Sequence, residues 1–148
     1  MPIAIYGLLI AAGAALVAQN LIMARISGQV ASVLVALVLN SAVGLFVLSG
    51  LLFDRFGIAG VAEVLKQLRP WAILPGLLGS FFVFASLLGY QRIGAGATIS
   101  VLVASQLVAG LAWDMMRAND SDLLSWGPAL IGCAMLIAGA VLVAARGV

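Results

Sequence analysis

Histidine is absent from this 148-residue sequence, cysteine occurs once (Cys133), and charge is scarce: seven Lys or Arg and five Asp or Glu. Without histidine and with a single thiol there is no ordinary set of zinc ligands, no disulfide within the chain and no Cys–His dyad. The five carboxylates fall around apparent loops rather than in facing pairs. Neither a GxxxxGK[ST] phosphate loop nor a basic patch for nucleic acid is present. No catalytic residue, metal ligand or cofactor is therefore expected, and the chain is read neither as an enzyme nor as a nucleic-acid binder. A soluble fold is excluded on similar grounds. Hydrophobic residues make up 65% of the chain and charged residues 8%, where a soluble domain is about half apolar and about a quarter charged. The class is integral membrane protein, with membrane lipid as its first partner.

A membrane-spanning helix needs about 20 largely apolar residues. Five stretches qualify, at about 3–24, 30–53, 71–90, 95–113 and 126–145, and none contains a charged side chain. The first stretch lacks a basic leader and is longer than a signal-peptide core, so it reads as a membrane helix. The expectation is one all-α, polytopic transmembrane domain over residues 1–148 with five spans.

Short connections at 25–29 and 91–94 predict helical hairpins, and Gly94-Ala95-Gly96 suits a tight reversal. Pro70 and Pro128 stand where helices begin, and Pro75, about one turn further in, predicts a kink in the third helix. Residues 54–69 form the one sizeable connector before the third span. There Val61, Val64, Leu65 and Leu68 share one helical face and Glu63, Lys66 and Gln67 the other, which predicts a short amphipathic helix on the membrane surface.

Five spans place the termini on opposite sides of the membrane. Lys and Arg side chains set orientation by their excess on one side, yet Arg55, Lys66, Arg69 and Arg117 face Arg25, Arg92 and Arg146, four against three. So small a bias fits either weak orientation information or insertion in both orientations. The second reading leads to an antiparallel homodimer, in which two inverted copies build the repeat on which many transporters rest. Small residues recur along helix 1 (Ala4, Gly7, Ala11, Ala15, Ala18), helix 3 (Gly76, Gly79) and helix 5 (Gly132, Gly139) and read as surfaces for close helix packing.

Polar groups inside the spans need a partner or a watery cavity. Serine and threonine hydroxyls can return to carbonyls of their own helix; primary amides, with two donors and an acceptor, are harder to hide. Gln19, Asn20, Asn40 and Gln106 are accordingly the main candidates for a substrate path, and Ser80 on helix 3 joins them as a candidate substrate-binding residue. Gln106, Gly110 and Trp113 share a face of helix 4. The bland alternative for each amide is a hydrogen bond that only fixes packing. A proton-coupled exporter needs an acid deep in the bilayer, but Asp114 ends helix 4 and is followed by Arg117, Asp120 and Asp122 in a polar loop. No proton carrier stands out.

The strings PGLLGSFFVFAS (75–86) and GYQRIGAGATISVLVASQL (89–107), with Gln19-Asn20 followed by Met23 and Arg25, resemble the YdcZ-like family of the drug/metabolite transporter superfamily along nearly the whole chain. The resemblance implies a bacterial inner-membrane protein equivalent to one five-helix half of a ten-helix, inverted-repeat transporter. It further implies that a second copy or a paired homologue completes the structure, and that the activity is export of a small metabolite or drug-like solute by alternating access. The small multidrug-resistance branch of the superfamily uses a glutamate on its first helix for proton-coupled export of cations. Helix 1 has only Gln19 and Asn20 instead, so cation/proton antiport does not carry over. The rival expectation is a non-transporting membrane subunit that binds or stabilises a partner protein.

Overall fold

The computed structural model describes residues 2–118 and 126–145; Asp120, Asp122 and Arg146 lie outside them. It contains five α-helices, α1 (Pro2–Ser27), α2 (Val33–Lys66), α3 (Leu74–Arg92), α4 (Gly94–Arg117) and α5 (Gly127–Ala145), with a 3₁₀ turn over Pro70–Ile73 ahead of α3. All five are long and apolar enough to cross a membrane, and no strand occurs among the described residues. The fold is all-α and polytopic because each helix satisfies its own backbone hydrogen bonds, as hydrocarbon requires.

The helix ends show what charge and capping do. α1 continues through Arg25, where the expected span had stopped, because a cation in the last turn complements the helix dipole and its aliphatic stem reaches toward the interface. The Gly28 N–H donates to the Ala24 carbonyl at 3.1 Å and the Gln29 N–H to Ile26 at 2.9 Å. Ser32, in extended conformation, then accepts from the Leu34 N–H at 3.2 Å and so sets the start of α2 at Val33.

α2 runs past Asp54 and Arg55, which do not end it. Its break is at Gly57, with φ 57° and ψ −147°, a backbone region that side chains with a Cβ rarely enter. Beyond the break, Gly60 lies so close to the end of the span that a Cβ there would stand 2.9 Å from Phe56 Cβ and 3.2 Å from Leu52 Cγ. That contact selects which face of the connector turns inward. An open groove of about 640 Å³ is lined by Leu52 and Phe56 on one side and by Glu63, Val64, Gln67 and Leu68 on the other. The groove straddles the boundary between the two faces expected of the connector, with Glu63 and Gln67 beside Val64 and Leu68.

The kink expected at Pro75 also takes another form. The chain passes from the 3₁₀ turn into α3 at Leu74, so Pro75 occupies the first helical turn, where its missing N–H is harmless. At the far end only Ile93 separates α3 from α4. Gly94 supplies the reversal with φ 82°, while Ala95 and Gly96, expected in the turn, already belong to α4. The Thr98 hydroxyl donates to the Gly94 carbonyl at 2.7 Å. Gly89 lets the two helices close, because a Cβ there would meet Thr98 Cγ2 at 2.6 Å and Oγ1 at 2.7 Å. α4 ends with the Arg117 guanidinium over the Trp113 ring, 5.7 Å from its centroid, a cation–π contact.

The chain divides into two compact units, Met1–Leu88 and Gly89–Val148. In the first, α1 packs on α2, and Met23, Ala36 and Leu87 form a small core flanked by Val33, Leu37 and Val83. In the second, α4 lies along α5. Burial is slight: between 6% and 11% of the most apolar stretch of each span is buried. Gly7, Gly76, Gly79, Gly132 and Gly139 have no atom within 4 Å of where a Cβ would be. The small-residue stripes expected to serve close packing are therefore unpacked among the described residues, and their faces are left to lipid or to another chain.

Four glycines are thus required, Gly57 and Gly94 by a positive φ and Gly60 and Gly89 by close contact. Gly89→Ala should lower the thermal midpoint of the purified protein, with overpacking of about 1–3 kcal/mol, and Gly57→Ala should do so through about 1–3 kcal/mol of backbone strain. Gly50→Ala, with open space around it, should leave the midpoint unchanged or raise it. Equal tolerance of alanine at all three positions would contradict this account.

Candidate functional site

In unit one, the approach of α1 to α2 brings together two amides far apart in sequence. Gln19 Nε2 donates to Asn40 Oδ1 at 2.9 Å, and the same nitrogen lies 4.0 Å from the Met23 sulfur. Both amide side chains are half-buried. Gln19 is eight residues before the end of α1 and Asn40 seven after the start of α2, so the bond lies about 10–12 Å inside the helix ends at 1.5 Å per residue. The bond leaves the Gln19 carbonyl oxygen and the Asn40 NH₂ without partners among the described residues.

Asn20 is placed differently. It is only 3% exposed and shares the buried face of α1 with Met23 and Ser27, yet its amide makes no hydrogen bond among the described residues. No side-chain nitrogen or oxygen fully sealed from the outside lacks a partner among those residues, so the Asn20 amide retains an opening. Through that opening the amide can take a partner from outside the chain, such as water.

Between α2 and α3 a cavity of about 350 Å³ is lined by Leu37, Ser41, Gly76, Gly79, Ser80 and Val83. Leu37 and Val83 also flank the Met23–Ala36–Leu87 core, so this open cleft borders the core of the first unit, while Gln19, Asn20 and Asn40 are not among its lining residues. The Ser80 hydroxyl donates to the Gly76 carbonyl at 2.9 Å, which occupies its proton and leaves it only as an acceptor. Most other hydroxyls in the spans behave alike. Ser86 returns to Phe82 at 2.7 Å, Ser100 to Gly96 at 2.8 Å and Ser105 to Leu102 at 2.9 Å. Ser41 is an exception and makes no hydrogen bond among the described residues.

Of the residues chosen from sequence, Gln19 and Asn40 are in contact, Asn20 is the neighbour of Gln19 on the buried face, and Ser80 lines the cavity. Gln106 lies in the second unit, exposed on α4 and without a hydrogen bond among the described residues. Sequence reasoning assigned Gly76 and Gly79 to packing and gave Ser41 no role, whereas all three line the cavity. The signal available was the Gly76–Gly79–Ser80 spacing, one helical face carrying two missing side chains and a hydroxyl. Asp114 is exposed near the end of α4. Among the described residues no group of three or more His, Cys, Asp or Glu could hold a metal ion.

Comparison with known proteins converges on one family. Residues 4–142 match the family described as "Putative inner membrane exporter, YdcZ". The chain is 47% identical over 138 residues to the inner membrane protein YdcZ of Escherichia coli strain K12, an alignment covering 93% of each chain. No solved structure matches significantly. Five membrane-length helices and a family match over nearly the whole chain establish this protein as a multi-pass inner-membrane protein belonging to the YdcZ family of exporters of the drug/metabolite transporter type.

Proposed function

We propose that this chain is one half of an inner-membrane exporter of a small metabolite or drug-like solute, completed by a second, inverted copy of itself. A paired homologue in the opposite orientation would serve the same geometry. The observation that carries this reading is the amide group of the first unit: a Gln19–Asn40 hydrogen bond beside an almost wholly buried Asn20 whose amide makes no hydrogen bond among the described residues. Polar groups held at that depth and left incompletely satisfied are costly as packing devices and useful as solute ligands. The open glycine faces and the slight burial of every span support the need for a second copy.

In this mechanism the solute hydrogen-bonds to the Asn20 amide and to the groups that the Gln19–Asn40 pair leaves free. Ser80 contributes an acceptor from the α2–α3 cavity, and Gln106 would line the path from α4. Rocking of the two inverted halves around the bound solute exposes it first to one side and then to the other. α1 carries no carboxylic acid, so proton exchange on an acid of helix 1 is not part of this cycle. The same open glycine faces would equally suit a non-transporting subunit bound to a partner protein, and only solute movement separates the two readings.

Export is measured as the set of small molecules whose concentration outside cells rises when the protein is expressed. Asn20→Leu, of similar size and apolar, should abolish that rise with little change in the thermal midpoint, because the amide makes no hydrogen bond among the described residues and is not sealed from the outside. Gln19→Ala and Asn40→Ala should each reduce export about tenfold with a loss of only about 0.6 kcal/mol, the worth of one interhelical bond in a membrane. Normal export by all three variants overturns the proposed lining, and export by no form of the protein favours the partner-binding subunit.

A further inference from the structure

The chemistry of the same region narrows the class of solute. Around the amide group and the α2–α3 cavity there is no ionisable side chain. The nearest charge along α1 is Arg25, six residues from Gln19, and the nearest along α2 is Asp54, fourteen from Asn40, about 9 Å and about 21 Å along the respective axes. On α3, Arg92 is twelve residues from Ser80, about 18 Å away. What the region offers instead is a balanced neutral set. The Gln19 carbonyl and the Ser80 oxygen accept, the Asn40 NH₂ donates, and the Asn20 amide and the Ser41 hydroxyl do both.

We infer that the cavity between α2 and α3, with the amides of Gln19, Asn20 and Asn40, takes a small solute that has no ionised group and is recognised by hydrogen bonds alone. This rests on the transporter reading above. An ion brought into hydrocarbon beside neutral partners only is disfavoured by a factor on the order of a hundred relative to a neutral molecule of the same size. A zwitterion is penalised at both ends. The cavity of about 350 Å³ lies at the small end of ligand pockets, which span about 300–1,000 Å³. Its floor is the bare backbone at Gly76 and Gly79, where nothing stands within 4 Å of a Cβ position. A methyl group there fills solute space without striking the protein.

The test is to analyse the medium of cells expressing the full chain by capillary electrophoresis coupled to mass spectrometry, in strongly acidic and in strongly alkaline buffer. The molecules that depend on the protein should migrate with the neutral marker in both buffers, which excludes cations, anions and zwitterions. Their export should fall by about tenfold or more in Gly79→Ala, by overfilling of the cavity, with the thermal midpoint unchanged. Gly50→Ala, also surrounded by open space and outside the cavity lining, should export normally. Protein-dependent molecules that migrate as ions in either buffer overturn this inference and leave the transporter reading intact. Full export by Gly79→Ala overturns the assignment of the cavity. If no molecule depends on the protein, the transporter reading fails and takes this inference with it.

Discussion

A polar group placed in hydrocarbon must find its partner inside the protein, and this constraint organises the chain. Backbone groups meet it by forming five helices. Hydroxyls meet it locally: Ser80, Ser86, Thr98, Ser100 and Ser105 each donate to a carbonyl three or four residues back. Primary amides cannot be absorbed by their own helix in this way, so they must either pair across helices or remain open. Gln19 and Asn40 pair; Asn20 remains open although almost wholly buried. The region proposed for the solute is where local satisfaction fails.

The near balance of basic residues has a local physical origin that bears on assembly. α1, α2, α3 and α4 each carry a cation in the last turn: Arg25, Lys66, Arg92 and Arg117. A cation there complements the negative end of the helix dipole. With successive spans crossing in opposite directions, as proposed, the cations at the ends of α1 to α4 fall two on each side. Helix capping and orientation thus compete for the same few residues, and what the chain gains in helix stability it loses in directional signal. A chain built this way is well suited to the inverted pairing proposed for it.

Five spans were legible in the sequence because apolar runs of membrane length leave no soluble alternative. The family was legible from strings such as PGLLGSFFVFAS. What escaped were features governed by contacts across the chain. A charged pair at Asp54–Arg55 looked like a helix end, yet the helix continues to a conformational break at Gly57 that glycine content alone does not reveal. Pro75 looked like a kink because the 3₁₀ turn before it was not foreseen. The close contact of Gly60 with Leu52 and Phe56 was likewise not visible in the spacing of the connector. Among the site residues, the amide types were evident from chemistry, but the pairing of Gln19 with Asn40 depends on the register of α1 against α2. Gly76 and Gly79 were taken for packing surface because an absent side chain serves a tight contact and an open cavity equally well. Only the empty space around them distinguishes the two.

The central claim is that the functional unit joins two copies in opposite orientations, and orientation itself tests it most directly. Gln29, in the turn after α1, and Gln67, just beyond α2, are exposed and separated by one span. Single cysteines at these positions in a Cys133→Ala background can be labelled in intact cells with a membrane-impermeant thiol reagent. The account predicts that each position labels in about half of the molecules, as a population inserted both ways requires. Complete labelling of one position with none at the other would contradict the antiparallel pairing of identical chains.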